Sequence, residues 1–143
     1  MHGISVIPLK QVHDKRGKIM RMLRCDESHF RQFGEIYFSV VYPGAVKAWH
    51  LHSEKMVNLA VIEGLMKVVL YDERSESPTA GKIEEIIIGP ENYCLVIIPP
   101  GIWYGFQALG TEKAILADCA THICPPEEDH RKQSDDPSIP YKW

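Results

Sequence analysis

No stretch of this chain approaches the ~18 consecutive apolar residues that a membrane-spanning helix needs, so a helical membrane protein is excluded. The opening residues, Met1-His-Gly-Ile-Ser-Val-Ile-Pro8, lack a charged segment followed by a long apolar one, and no secretory leader is expected. A basic excess is missing too: 16 Lys and Arg stand against 19 Asp and Glu, for a net charge of −3. With no polybasic run, neither nucleic acid nor an anionic membrane is an expected partner. Cysteine is scarce. Cys25, Cys94, Cys119 and Cys124 show no C-x2-C spacing, which argues against a structural zinc site. They read as reduced, partly buried thiols of a cytoplasmic protein. Helical signals are nearly absent. Only Asp26–Phe33 has an acidic start and a glycine stop, at Gly34. No strand–helix–strand alternation exists, so a parallel sheet is excluded. Internal repeats and low-complexity segments are also lacking.

What is present is a chain of 143 residues with 45% hydrophobic content, read as one domain over 1–143. A chain of this size buries roughly two-thirds of its unfolded surface, enough for a true core. Residues 3–10 read as a first strand, at a sheet edge because of Pro8. A charged turn follows at Asp14–Gly17, then a strand over 18–24. From residue 35 onward, strands are expected at 35–42, 45–52, 56–63, 65–72, 83–88, 94–98, 102–108 and 113–119. Pro43-Gly44, Gly64, Ser75–Gly81, Gly89-Pro90 and Pro99-Pro100-Gly101 separate them. Short strands at this rhythm predict an all-β sandwich or barrel. The segment from Pro125 to Trp143 is expected to wrap the surface and end in an aromatic anchor, Tyr141 to Trp143.

The chemistry centres on Gly44-Ala-Val-Lys-Ala-Trp-His-Leu-His52. In an extended strand, His50 and His52 share one face, with Cβ atoms about 6.5–7 Å apart. Both rings can then serve one ligand. Strict alternation points Lys47 and Trp49 the other way, so Lys47 reaches the histidine face only through a bulge or bend. Trp49 and Trp103 read as core or interface contacts, and His122 and His130 as solvent-facing.

Gly44-x5-His50-x-His52 with Gly64, and Ile97-Ile-Pro-Pro-Gly-Ile-Trp-Tyr-Gly-Phe106, resemble the two motifs of the cupin superfamily. Within it the chain is similar to the dTDP-4-dehydrorhamnose 3,5-epimerase family. The shared marks are Asp14-x-Arg16-Gly17, Ser77-Pro-Thr-x-Gly81, Glu91-Asn92, Ile98-Pro-x-Gly101-x3-Gly105-Phe106, Asp136-Pro137 and Trp143. The resemblance implies a cupin jelly roll, here with one short helix. It implies a homodimer through the amino-terminal strands, acting on a nucleotide-linked 4-keto-6-deoxy sugar for surface polysaccharide. It places His50 at the general base and Lys47 at the substrate; His52, on the same strand face as His50, is expected at the substrate too. Arg16 falls on the phosphates, often across the dimer.

Proton abstraction beside a ketone needs a base poised near neutrality, a cation or donor at the enolate oxygen, and an acid on the other face. His50, Lys47 and Arg16 suit base, cation and anion site. The family's catalytic tyrosine falls, by counting back from Pro125, on Ala117, which has no proton to give. The family's orienting aspartate lies beyond Trp143. Tyr104, at the position of the second motif's histidine, is the expected replacement acid, with Asp118, Asp135 and Asp136 as further candidates. This reading assigns no metal and no cofactor. Two alternatives stay open. One is a sugar-nucleotide-binding cupin with reduced turnover. The other is a metal-dependent cupin, although Val57 stands at the metal-binding glutamate's position and Tyr104 at the third histidine's.

Overall fold

The computed structural model describes residues 1–123 and 125–143, so the expectation for Cys124 lies outside the described residues. Eleven strands run from the amino terminus to residue 120: β1 (Ser5–Pro8), β2 (Gln11–Asp14), β3 (Gly17–Met20), β4 (Glu35–Val41), β5 (Val46–His52), β6 (Val57–Glu63), β7 (Leu65–Asp72), β8 (Ile83–Ile88), β9 (Cys94–Ile98), β10 (Ile102–Leu109) and β11 (Ala114–Ala120). A short strand, β12 (Asp129–Arg131), follows a single 3-10 turn at Pro126–Glu128. Two five-stranded antiparallel sheets form, in the orders β1-β9-β6-β11-β4 and β12-β5-β10-β7-β8. The β2–β3 hairpin stands apart from both. β1 is an edge strand, as Pro8 requires.

Period-2 alternation decides which side chains meet between the sheets. Leu59 and Val61 of β6 and Val96 and Ile98 of β9 face Val68 and Leu70 of β7 in one buried cluster. Each such side chain contributes roughly 1.5–3 kcal/mol on burial. This packed hydrocarbon fills one half of the sandwich.

The outer face of the second sheet carries another cluster. Trp49, Val69 and Trp103 lie under Ile139, Tyr141 and Trp143 of the carboxy-terminal segment. Trp49 is fully buried, its ring centre 5.0 Å from that of Trp143 and 5.9 Å from that of Tyr141. The aromatic anchor therefore forms as the sequence implies. The same segment also adds β12 to the edge of the sheet, against β5.

The helix expected at Asp26–Phe33 does not form; these residues make isolated turns. Eight residues are too few to offset helix nucleation without tertiary packing. The would-be cap is also diverted: both Asp26 carboxylate oxygens accept hydrogen bonds from the Arg24 guanidinium. The strand expected over 18–24 is shorter, Gly17–Met20, and is half of a hairpin whose first arm is Gln11–Asp14.

One irregularity matters for the site. Tyr104 pairs with His50, but Phe106 pairs with Lys47, so Gly105 faces two residues, Ala48 and Trp49. A Cβ at position 105 would sit 2.5 Å from the Ala48 Cβ and 2.8 Å from the Trp143 ring. Only glycine leaves room for this bulge.

The Ser77-Pro-Thr-x-Gly81 mark has a structural explanation. The fully buried Asp72 carboxylate accepts hydrogen bonds from the Ser77 and Thr79 hydroxyls, both at 2.6 Å, and from Arg74 at 2.8 Å. The Arg74 guanidinium, helped by the two hydroxyls and against the opposing effect of burial, holds Asp72 far below the usual carboxylate range.

Candidate active site

In the other half of the sandwich a half-open cavity of about 850 Å³ lies between the sheets instead of hydrocarbon. Its walls come from opposite sheets. β5, β10 and β12 supply Lys47, His50, His52, Tyr104, Asp129 and Arg131. β4 and β11 supply Glu35, Tyr37 and Asp118.

The bulge sets the chemistry of the first wall. Directly paired residues of antiparallel strands share a face. Lys47 therefore sits beside Phe106 and His50 beside Tyr104, and Phe106 and Tyr104, two apart on β10, face the same way. The extra residue brings Lys47 round to the histidine face, while Trp49 stays outward in the tail cluster. The bend that strict alternation demanded of Lys47 is present.

His52 is buried, with Nε2 3.0 Å from the Tyr104 hydroxyl and Nδ1 3.7 Å from Asp129 Oδ1. Burial, then the charge of Lys55, lowers its pKa to about 4. Burial, then Asp118, holds the Tyr104 phenol well above its ordinary value. A neutral imidazole beside a protonated phenol has the Tyr104 O–H donating to Nε2. The ring proton is then on Nδ1, towards the Asp129 carboxylate. Asp129 in turn accepts from Arg131 at 2.8 Å. His50 is half-buried. Burial, then Arg131, lowers its pKa, while Asp129 pulls the other way. It is neutral at pH 7 and free to accept a proton.

On the facing wall the Tyr37 hydroxyl donates to Asp118 Oδ2 at 2.7 Å. Asp118 is 2% exposed, and burial raises its pKa to about 6 against the opposing pull of Tyr37 and Lys55. Burial, then Asp118, holds the Tyr37 phenol far above its ordinary value.

Residues 1–143 match the profile of the dTDP-4-dehydrorhamnose 3,5-epimerase family. The chain belongs to that family. The probable low-salt glycan biosynthesis epimerase Agl13 of Haloferax volcanii is 35% identical, over 99% of this chain and 88% of its own length. The spore coat polysaccharide biosynthesis protein SpsL of Bacillus subtilis is 32% identical, over 99% and 95%. The crystal structure of a dTDP sugar isomerase from Desulfovibrio desulfuricans G20 superposes with a TM-score of 0.97 at 43% identity, covering 99% of this chain and 91% of that one.

Of the residues that dTDP-4-dehydrorhamnose 3,5-epimerase resemblance singled out, Lys47, His50, His52 and Tyr104 meet in the cavity. Arg16 does not. It lies at the tip of the β2–β3 hairpin, exposed, and paired with Asp14 at 2.8 Å. Ala117, the counted position of the family's tyrosine, pairs with the exposed Phe38 on the outer face of its sheet. The inward residue there is its neighbour Asp118. Asp136 reaches the cavity rim, where it accepts from the Ser138 hydroxyl and backbone N–H. At the metal-binding positions, Val57 is core hydrocarbon. Among the described residues no group of three or more His, Cys, Asp or Glu is placed to hold an ion. Sequence reasoning missed Tyr37, Asp129 and Arg131. The inward alternation of Tyr37, Ser39 and Val41 on β4 was a usable signal for the first. Asp129 and Arg131 lie in a three-residue strand too short to show a period.

Proposed function

We propose that this chain is a nucleotide-sugar epimerase that acts on a dTDP-linked 4-keto-6-deoxy sugar in glycan assembly. The placement of Lys47 and His50 on one wall of the cavity between the sheets carries the reading. His50, neutral and half-buried, takes the proton from the carbon next to the ketone. The C–H electron pair becomes the enolate double bond and the carbonyl π pair moves to the ketone oxygen, where the Lys47 ammonium stabilises the developing charge. The Tyr104–His52 pair, on the same wall, holds the sugar by hydrogen bonds. The names of the relatives, an epimerase of glycan biosynthesis and a spore-coat polysaccharide protein, support the pathway class. The name of the solved isomerase supports the nucleotide.

The working unit in this proposal is a homodimer. An exposed hairpin tip bearing Arg16 serves no purpose in its own cavity. Delivered to a partner, its guanidinium is a bidentate diphosphate ligand. A second reading, a binding protein with slow turnover, has one observation in its favour. The carboxylate nearest this histidine pair, Asp129, faces His52 rather than His50.

Deuterium incorporation separates the two. In heavy water, the wild-type protein should exchange the carbon-bound hydrogens next to the ketone of a dTDP-4-keto-6-deoxy sugar. His50→Asn should lower that rate by about 10²–10⁴-fold, the usual contribution of a positioned base. Calorimetric binding of the sugar nucleotide with no exchange in wild type would establish the second reading instead.

A further inference from the structure

Epimerisation requires the proton to return on the face opposite the one it left. His50, His52, Lys47 and Tyr104 all belong to a single wall, because β5 and β10 are hydrogen-bonded neighbours. None of them reaches the far side of a sugar lying against that wall. From the geometry we infer that Tyr37 is the acid on the far face and that Asp118 supplies it with the proton. This rests on the epimerase reading and deepens it.

Tyr37 and Asp118 are directly paired across β4 and β11, and both line the cavity between the sheets. Tyr37 is 40% exposed, whereas Asp118 is buried. Asp118 Oδ1 has no hydrogen-bond partner among the described residues. A buried carboxylate with an orphaned oxygen is costly if it only holds two strands together. Here β4 and β11 are already joined along seven paired positions, so the pair adds nothing the ladder lacks. The cost is explained if Asp118 carries a proton for part of the cycle. Burial raises its pKa to about 6, which keeps a protonated fraction near neutrality. The groups that face the pair are Glu35 on β4, Lys55 in the β5–β6 connection, Tyr104 on β10, and Asp129 and Arg131 on β12.

The step balances. His50 takes the proton from carbon, and the C–H electron pair becomes the enolate double bond. That pair then re-forms a C–H bond on the far face with the Tyr37 hydroxyl proton. The Asp118 carboxylic acid returns a proton to the Tyr37 oxygen and becomes a carboxylate. Water entering the cavity takes the proton from the His50 imidazolium and returns one to Asp118. Tyr37 alone is a weak acid, because its pKa is raised; the relay from Asp118 removes that obstacle.

Tyr37→Phe keeps the ring and deletes the donor. With the same sugar nucleotide in heavy water, exchange with retention should persist within a few-fold. Formation of the inverted product should fall by at least about 100-fold. Asp118→Asn provides the second measurement. Inversion in wild type should decline as pH rises past about 6, when Asp118 loses its proton. That limb should be missing in Asp118→Asn, while exchange lacks it in both proteins. Equal loss of exchange and inversion in Tyr37→Phe, or unchanged inversion, overturns the relay and leaves the epimerase standing. Absence of exchange in wild type overturns both. Should Tyr37→Phe melt too early to assay, the pH limb in Asp118→Asn decides alone, and its persistence refutes the relay.

Discussion

His52 carries the clearest stability signature of any single residue. Its folded pKa, about 4, lies below the ordinary 6.5. The unfolded chain therefore binds the proton more readily, and stability present above pH 6.5 is lost as pH falls towards 4. Asp118 acts in the opposite sense. Its folded pKa, about 6, exceeds the ordinary 3.8, so its contribution is lost as pH rises through that range. Comparison with His52→Gln isolates the histidine. Denaturant unfolding at pH 7 and pH 4.5 should show wild type losing roughly 1–3 kcal/mol more than the variant. Equal losses would mean His52 is no more protected than an ordinary histidine. Lys47→Met tests the enolate partner. It should lower the turnover of epimerisation by about 10²–10³-fold, the usual cost of removing one oxyanion donor, with a small change in KM. At this scale the sequence was informative about chemistry and poor about direction. His50, His52, Lys47 and Tyr104 could be chosen by residue type and motif. Whether Ala117 or Asp118 faced inward depended on one residue of register, which counting from Pro125 could not fix.

Among the elements, strands β4 to β11 were legible because alternation and turn glycines act locally. Three features were not. The 26–33 segment has helix-like punctuation, yet its acidic residue is taken by Arg24. β12 exists because β5 offers it an edge, which is a long-range fact. The bulge opposite Gly105 depends on three segments meeting: β5, β10 and the carboxy-terminal aromatics. Gly105→Ala puts a methyl where Ala48 and Trp143 already are. The expected cost is about 1–3 kcal/mol by thermal or denaturant melt, with exchange activity falling further than stability explains. A variant as stable and active as wild type would show that the bulge does not position Lys47.

At the scale of the whole molecule, the exposed apolar residues call for a partner. Ile36, Phe38 and Val40 are 49%, 59% and 44% exposed along the outer side of edge strand β4. Val12 and Ile19 are exposed on the β2–β3 hairpin. Edge strands of this kind gain from being covered. Sedimentation at micromolar concentration should show a dimer, and Phe38→Glu should shift it towards monomer. Arg16→Ala should keep the dimer and raise KM for the sugar nucleotide by about tenfold or more, as one charged diphosphate contact is lost. A wild-type protein that sediments as a monomer throughout would remove the case for a shared site.

The division of the sandwich into a hydrocarbon half and a hollow, polar-walled half has a practical consequence. Heat tolerance and choice of sugar are governed by different strands. Someone seeking a hardier catalyst can refill positions between β6, β9, β7 and β8 without touching a reacting atom. Someone seeking a new substrate can rework β4, β5 and β12 and rely on the far end to keep the protein folded.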